Sequence, residues 1–164
     1  MGIHRALVGV VGAALILVAV LSLWPEAHDE AASSLAPEEL ALLKGREIVV
    51  YKSPLCGCCH QYEEYLRQHG MRVVSVAVDD PTPYKPDGLA PHYWSCHTAV
   101  VDGYFVEGHV PVEAIVKLLQ ESPGIAGIAL PGMPSGSPGM PSEKSGQWTI
   151  YALRNGQAIP FMYY

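Results

Sequence analysis

Apolar and polar positions along this chain follow three different patterns. The first is unbroken. Residues 6–24 carry no charge, Arg5 precedes them, and the acidic stretch 25–30 follows. At 19 residues the segment is longer than the roughly 7–15 apolar residues of a cleavable signal, and close to the about 20 that span a bilayer. No small-residue cleavage site stands beside it, so an uncleaved N-terminal transmembrane helix is expected rather than a removed signal. A buried core helix fits poorly, because the segment is apolar all round and opens the chain. Trp24 suits the far membrane interface, and the charge bias puts the C-terminal part outside the cytoplasm.

The other two patterns alternate after a polar, Ala-rich tether (25–45) that ends in a short helix around 37–44. Residues 47–51 are a short β-rich run closed by Lys52-Ser53-Pro54. Residues 61–69 predict a helix, with Tyr62, Tyr65 and Leu66 on one face and Gly70 as the stop. Residues 71–78 alternate and are rich in valine, which predicts a second strand. Residues 79–91 hold four prolines and read as a loop. Two β-rich runs, 98–101 and 104–106, flank Asp102-Gly103, a two-residue hairpin signal. Residues 111–121 predict a helix, with Pro111 in its first turn and Ile115, Leu118 and Leu119 on one face. A low-complexity loop follows in which Pro-Gly-Met-Pro-Ser occurs twice, at 131–135 and 138–142. The last two runs, 148–153 and 158–161, flank Asn155-Gly156 and predict a terminal hairpin.

The order strand, helix, strand, hairpin, helix is how a thioredoxin-like sheet is built. The expected fold class is therefore α/β: a thioredoxin-like domain with a mixed sheet and an added C-terminal hairpin, preceded by the transmembrane helix. The expected division is 1–24 anchor, 25–45 tether and 46–164 globular domain.

Composition narrows the function. The net charge is −6 with no basic run, so no nucleic-acid partner is expected. No Ser-His-Asp triad, phosphate-cradling loop or hydrolytic carboxylate pair is recognisable. Export of everything after residue 24 puts the cysteines in an oxidising compartment such as a periplasm.

Three of the four cysteines fall in Cys56-Gly57-Cys58-Cys59, and the fourth is in Ser95-Cys96-His97. Thiols this close either hold a soft metal or exchange electrons as a dithiol and disulfide. Cys56 and Cys59 have C-x-x-C spacing at the start of a helix, where the dipole favours thiolate. A dithiol exchanger needs two cysteines, and Cys58 would compete with them. For a metal, Cys58 is an added ligand. In the expected fold the residue before the third strand lies against the C-x-x-C motif, which brings Cys96 to the other three. Zinc sites usually pair separated ligand motifs, whereas Cu(I) accepts clustered thiolates together with Met and His. Copper, as Cu(I), is the first choice and zinc the second. His97, His109, Met133 and Met140 are second-tier ligands or gate residues. Cys56 and Cys59 would be catalytic if the protein is an oxidoreductase.

Plainer readings stand beside these. The cysteines could form two structural disulfides, although adjacent Cys58 and Cys59 make awkward staples. His109 could cap the second helix, Met133 and Met140 could fill loop packing, and Tyr62 and Tyr65 could be core.

The segments 51–59, 95–104, 107–111 and 131–140 together resemble the DUF411 family of small exported, CopG-like metal-binding proteins, in the family's order from about residue 47 to the end. The resemblance implies a thioredoxin-like fold, a periplasmic location, a role in copper handling or resistance, and copper bound by Cys56, Cys58, Cys59 and Cys96, in a multinuclear Cu(I) cluster. The Met-bearing loop would close over that site. Copper efflux or chaperone proteins of the compartment are candidate partners, together with the inner membrane through residues 6–24. The Pro-rich stretch 84–94 departs from the family's usual pattern, so the helical stretch typical there is expected to be shortened.

Overall fold

The computed structural model describes residues 35–164, which belong to one compact unit. The predicted membrane segment 6–24 lies outside the described residues. Among those described, no helix is long and apolar enough to cross a membrane.

The described chain runs α1 (Pro37–Leu43), β1 (Glu47–Lys52), α2 (Gly57–Gln68), β2 (Arg72–Ala77), β3 (His97–Val101), β4 (Tyr104–Gly108), α3 (Val112–Glu121), β5 (Gly127–Leu130), β6 (Thr149–Arg154) and β7 (Gln157–Tyr163). The strands form one mixed sheet in the order β2-β1-β3-β4-β5-β6-β7. β1 and β2 are parallel, with α2 as their crossover, and β3 lies antiparallel to β1. β4 and β5 are parallel across α3, and β6 and β7 add an antiparallel hairpin at the edge.

Period-two alternation builds β1, where Ile48, Val50 and Lys52 are buried and the residues between them are not. On α3, Val112, Ala114, Ile115, Val116 and Leu118 are buried. These two faces meet Tyr62 and Leu66 of α2, Ala99 and Val101 of β3, Val106 of β4 and Leu43 of α1 in a single core. Both predicted two-residue turns form. Val101 pairs with Tyr104 across Asp102-Gly103, whose φ angles are 48° and 82°. This is the left-handed pair that matches the twist of a hairpin.

Two expectations need correction. Helix α2 starts at Gly57, four residues before the predicted 61, because the Cys56 sulfur serves as its N-cap and accepts from the Cys59 amide at 3.3 Å. The cysteine cluster is therefore the cap and first turn of the helix. The stretch expected to be loop after α3 contains β5, four fully buried residues that fill the slot between β4 and β6. The shortening expected in the Pro-rich stretch is borne out: between β2 and β3 only two three-residue 3₁₀ turns, Thr82–Tyr84 and Pro91–Tyr93, form. The prolines there remove amide donors and limit helix length.

Candidate metal centre

The end of β1 turns sharply through Ser53-Pro54-Leu55, held by the Cys56 amide donating to the Ser53 carbonyl at 3.1 Å. This delivers Cys56 to the N-terminus of α2. Cys58 and Cys59 follow on the first turn, Cys59 fully buried and Cys58 partly exposed. Cys96 arrives from the other side, in the residue before β3, as the fold argument expects. The Sγ atoms of Cys56, Cys58, Cys59 and Cys96 all lie within 4.8 Å of one another. Cys58 is central: its sulfur is 3.5 Å from that of Cys56 and 3.8 Å from that of Cys96.

Cys56 and Cys59 are joined as a disulfide, and Cys58 and Cys96 are free thiols. The alternative of two structural disulfides is thus not what forms. In this state the free donor atoms are the Cys58 and Cys96 sulfurs and the nearby imidazoles. Burial and the facing Cys58 push the Cys96 thiol up to about 12. The resting thiol is protonated, and a soft metal must displace that proton to bind.

His109 is buried and does not cap α3, whose N-cap is Pro111. Its Nδ1 is 2.6 Å from the Pro138 carbonyl, and its Nε2 is 3.2 Å from Cys96 Sγ. A carbonyl only accepts, so Nδ1 carries the hydrogen and Nε2 presents a lone pair to the sulfur. An imidazole fixed in this way by a backbone carbonyl is a prepared ligand. His97 Nδ1 lies 3.4 Å from the same sulfur, and its Nε2 is buried with no hydrogen-bond partner. Burial holds both histidines below their ordinary value, and the facing His109 adds to the effect on His97. Both are therefore neutral at neutral pH, as ligands must be. Cys96, His97 and His109 form a second group whose donor atoms lie within the same 4.8 Å reach.

Tyr62 packs as core, but its neighbours belong to this centre. Its ring lies 4.8 Å from that of His97 and 5.3 Å from that of His109, and its hydroxyl donates to the Val110 carbonyl at 2.9 Å. It backs both imidazoles with an apolar, fully paired wall.

The repeated Pro-Gly-Met loop lies over the site. Pro138 supplies the carbonyl for His109. At Gly139 (φ 80°) the backbone approaches α2 so closely that a Cβ would stand 2.6 Å from the Tyr62 amide nitrogen. Only glycine fits there. Met133 and Met140 belong to this loop, Met140 directly after Gly139, and both are half-buried. His60 is exposed.

Sequence reasoning missed three contributors. The Pro138 carbonyl acts through its backbone and has no residue signature. Lys85 and Glu107 meet in a buried pair behind Ser95, and they are 22 residues apart. Glu107 lay inside a recognised motif, and that was its one signal.

Residues 93–140, which contain Cys96, both histidines and both loop methionines, match the family described as "Protein of unknown function, DUF411". No curated protein matches the chain. Two solved structures, titled copper resistance protein CopG, forms 1 and 2, are similar at 37% identity and a TM-score of 0.66. Each alignment covers 74% of this chain, and 98–99% of the solved chain. That extent takes the likeness beyond the matched segment, over nearly the whole of the solved chains, and the chain belongs to the DUF411 family of CopG-like proteins.

Proposed function

We propose that this protein binds Cu(I) through the thiolates of Cys56, Cys58, Cys59 and Cys96 and serves copper handling or resistance. The observation that carries the reading is the approach of four sulfurs within 4.8 Å from two separate chain segments. Thiolates select Cu(I) among available metals, and sulfurs this close can bridge several ions. His109 adds a neutral nitrogen whose orientation is already fixed, and His97 offers a buried nitrogen without a partner. The titles of the two similar structures favour copper over zinc, which a mixed sulfur and nitrogen set would also hold. Met133 and Met140 act as gate residues or auxiliary soft ligands. The strand order β2-β1-β3-β4, with α2 and α3 as crossovers, supports a thioredoxin-like core carrying an added β6–β7 hairpin. Residues 6–24 tether the domain to the periplasmic side of the inner membrane, and copper efflux or chaperone proteins there are its recipients.

Full thiolate capacity requires the Cys56–Cys59 disulfide to be reduced by thiol–disulfide exchange with an external dithiol, which gives up two electrons and two protons and leaves as its own disulfide. That disulfide supports a second reading, a thiol–disulfide oxidoreductase. Cys59 is fully buried and Cys56 partly exposed, so an incoming thiolate reaches Cys56 and Cys59 departs as the leaving thiolate.

The deciding experiment is metal analysis of the full chain, purified anaerobically in detergent after exposure to copper and zinc together, with thiols counted before and after. Copper retained at one equivalent or more with the thiols protected is the expected result. No retained metal, with a Cys56–Cys59 disulfide that reduces and reforms readily, moves the protein to the second reading.

A further inference from the structure

Behind the cysteine centre, on the sheet face away from α2 and α3, lies a polar cluster that the metal reading does not use. Glu107 of β4 stands directly opposite Thr98 of β3 and is fully buried. Its Oε2 accepts from the Thr98 hydroxyl at 2.6 Å. Its Oε1 accepts from the Ser95 amide and from the Lys85 ammonium, each at 2.6 Å. Lys85, whose side chain is 5% exposed, also donates to the Ser95 carbonyl at 2.9 Å. One ion pair therefore holds both backbone polar groups of Ser95.

An ion pair this deep is costly. Desolvation opposes the charges, and replacing such a pair by apolar residues of similar volume is often neutral or stabilising. Fold stability is thus a weak reason for it, and its geometry offers a better one. Ser95 is the residue before Cys96, and Glu107 is two residues before His109. The pair thereby ties the segment carrying the Cys96 sulfur to the strand that delivers the His109 nitrogen. At Gly108, between Glu107 and His109, a Cβ would stand 2.9 Å from the Ser95 Cβ, so the Ser95 side chain also packs directly on the Gly108 backbone.

We propose that Lys85 and Glu107 are positioning residues for Cys96: by holding the Ser95 amide and carbonyl they set the Cys96 sulfur at its spacing from Cys58 and His109. The consequence for copper rests on the reading of Cys96 as a copper ligand, whereas the consequence for sulfur spacing does not. Lys85 comes from the Pro-rich stretch 79–91, and that irregular segment is what carries the ammonium into the sheet. Its closing turn, with the Lys85 amide donating to the Thr82 carbonyl at 3.2 Å, fixes where the side chain starts.

The test uses the full chain in detergent with the Cys56–Cys59 disulfide intact. Phenylarsine oxide condenses with two adjacent thiols, forming two As–S bonds and releasing one water, so it reads the Cys58–Cys96 spacing without copper. Copper retention against a Cu(I) chelator is measured separately after anaerobic reduction. The variants are the double apolar replacement Lys85→Met with Glu107→Leu, and the conservative Glu107→Gln, which keeps an acceptor for Ser95. For the double variant, a parent-like melting temperature with at least a ten-fold loss in both arsenical affinity and copper retention is expected. Glu107→Gln should stay closer to the parent in both. Loss of arsenical binding with copper fully retained would uphold the positioning role and remove Cys96 from the copper ligands. Parent-like arsenical binding in a folded double variant would overturn the proposal, whatever copper does. Should the variants not fold, amide exchange in the unaltered chain decides. Protection of the Ser95 amide on a par with the β3 amides upholds the hold on Ser95, and exchange at the rate of an open loop overturns it.

Discussion

The Nε2 atom of His109 faces the Cys96 sulfur at 3.2 Å while its Nδ1 donates to the Pro138 carbonyl at 2.6 Å. One imidazole thus joins three parts of the chain: the strand end after β4, the segment before β3, and the Pro-Gly-Met loop. With copper bound, the loop carbonyl would hold the ring in its ligating tautomer. Replacing His109 by alanine should lower Cu(I) affinity by at least about ten-fold, the lower end of what is lost when even a group that only orients a ligand is removed. Competition against a colorimetric Cu(I) chelator measures it. An unchanged affinity would leave His109 as a packing residue.

His97 and His109 make the metal-free protein sensitive to acid. Burial holds His97 and His109 below the ordinary value of about 6.5, so the folded protein keeps them neutral where the unfolded chain protonates them. As pH falls below about 6.5, the unfolded state binds more protons than the folded one, and stability falls with pH. Each histidine can contribute up to about 1.4 kcal/mol per pH unit until its depressed folded value is reached. Urea midpoints of the metal-free protein should therefore drop between about pH 7.5 and 5.5, and bound metal should blunt the drop. A flat profile in the metal-free form would contradict the buried neutral pair.

Loop closure depends on Gly139. Its positive φ and the 2.6 Å approach to the Tyr62 amide leave no room for a side chain. Gly139→Ala should lift the loop from α2 and cost roughly 1–3 kcal/mol, combining left-handed backbone strain with a backbone clash. Faster proteolysis within 131–142 and weaker copper retention are the expected signs. A variant with parent-like proteolysis would show that the close approach at Gly139 does not hold the loop on α2.

Cys96 should also be chemically quiet for a partly exposed thiol. With burial and Cys58 raising it to about 12, its thiolate fraction at pH 8 is small. Iodoacetamide labelling of the disulfide form, followed by peptide mass analysis, should modify Cys96 at least ten-fold more slowly than glutathione under the same conditions. Labelling at the glutathione rate would indicate that His109 takes the proton and leaves an ion pair.

What the sequence revealed follows from how local each signal is. The hairpins at Asp102-Gly103 and Asn155-Gly156 and the amphipathic α3 rest on neighbouring residues, and they form as read. The approach of Cys96 to Cys58 was legible one level up, because the order of elements implied which strand end faces α2. Strand β5 was not legible: four residues give too little period to register, and its place is fixed by β4 and β6 on either side. The start of α2 was hidden because a cysteine sulfur replaces the usual oxygen cap. The Lys85–Glu107 pair and the Pro138 carbonyl depend on contacts across 22 and 29 residues, which no local pattern encodes. The pair that forms the disulfide, by contrast, is the one whose C-x-x-C spacing marked it as the exchanging pair. Cys56 and Cys59, one helical turn apart, have Cα atoms 5.3 Å apart, within the range a disulfide spans.

Cys58 separates the two functional readings most sharply. Its sulfur lies 3.5 Å from that of Cys56 and 3.8 Å from that of Cys96, yet it takes no part in the disulfide. In a copper thiolate cluster it is the sulfur best placed to bridge ions held by the other cysteines. In an oxidoreductase that cycles Cys56–Cys59 it is dispensable. Cys58→Ser should therefore lower the copper equivalents held after anaerobic loading, while the Cys56–Cys59 disulfide still opens with dithiothreitol at close to the parent rate. Cys56→Ser should reduce copper capacity and abolish that disulfide together. Unchanged copper stoichiometry in Cys58→Ser would remove the central sulfur from the cluster and leave the disulfide as the chemistry of the site.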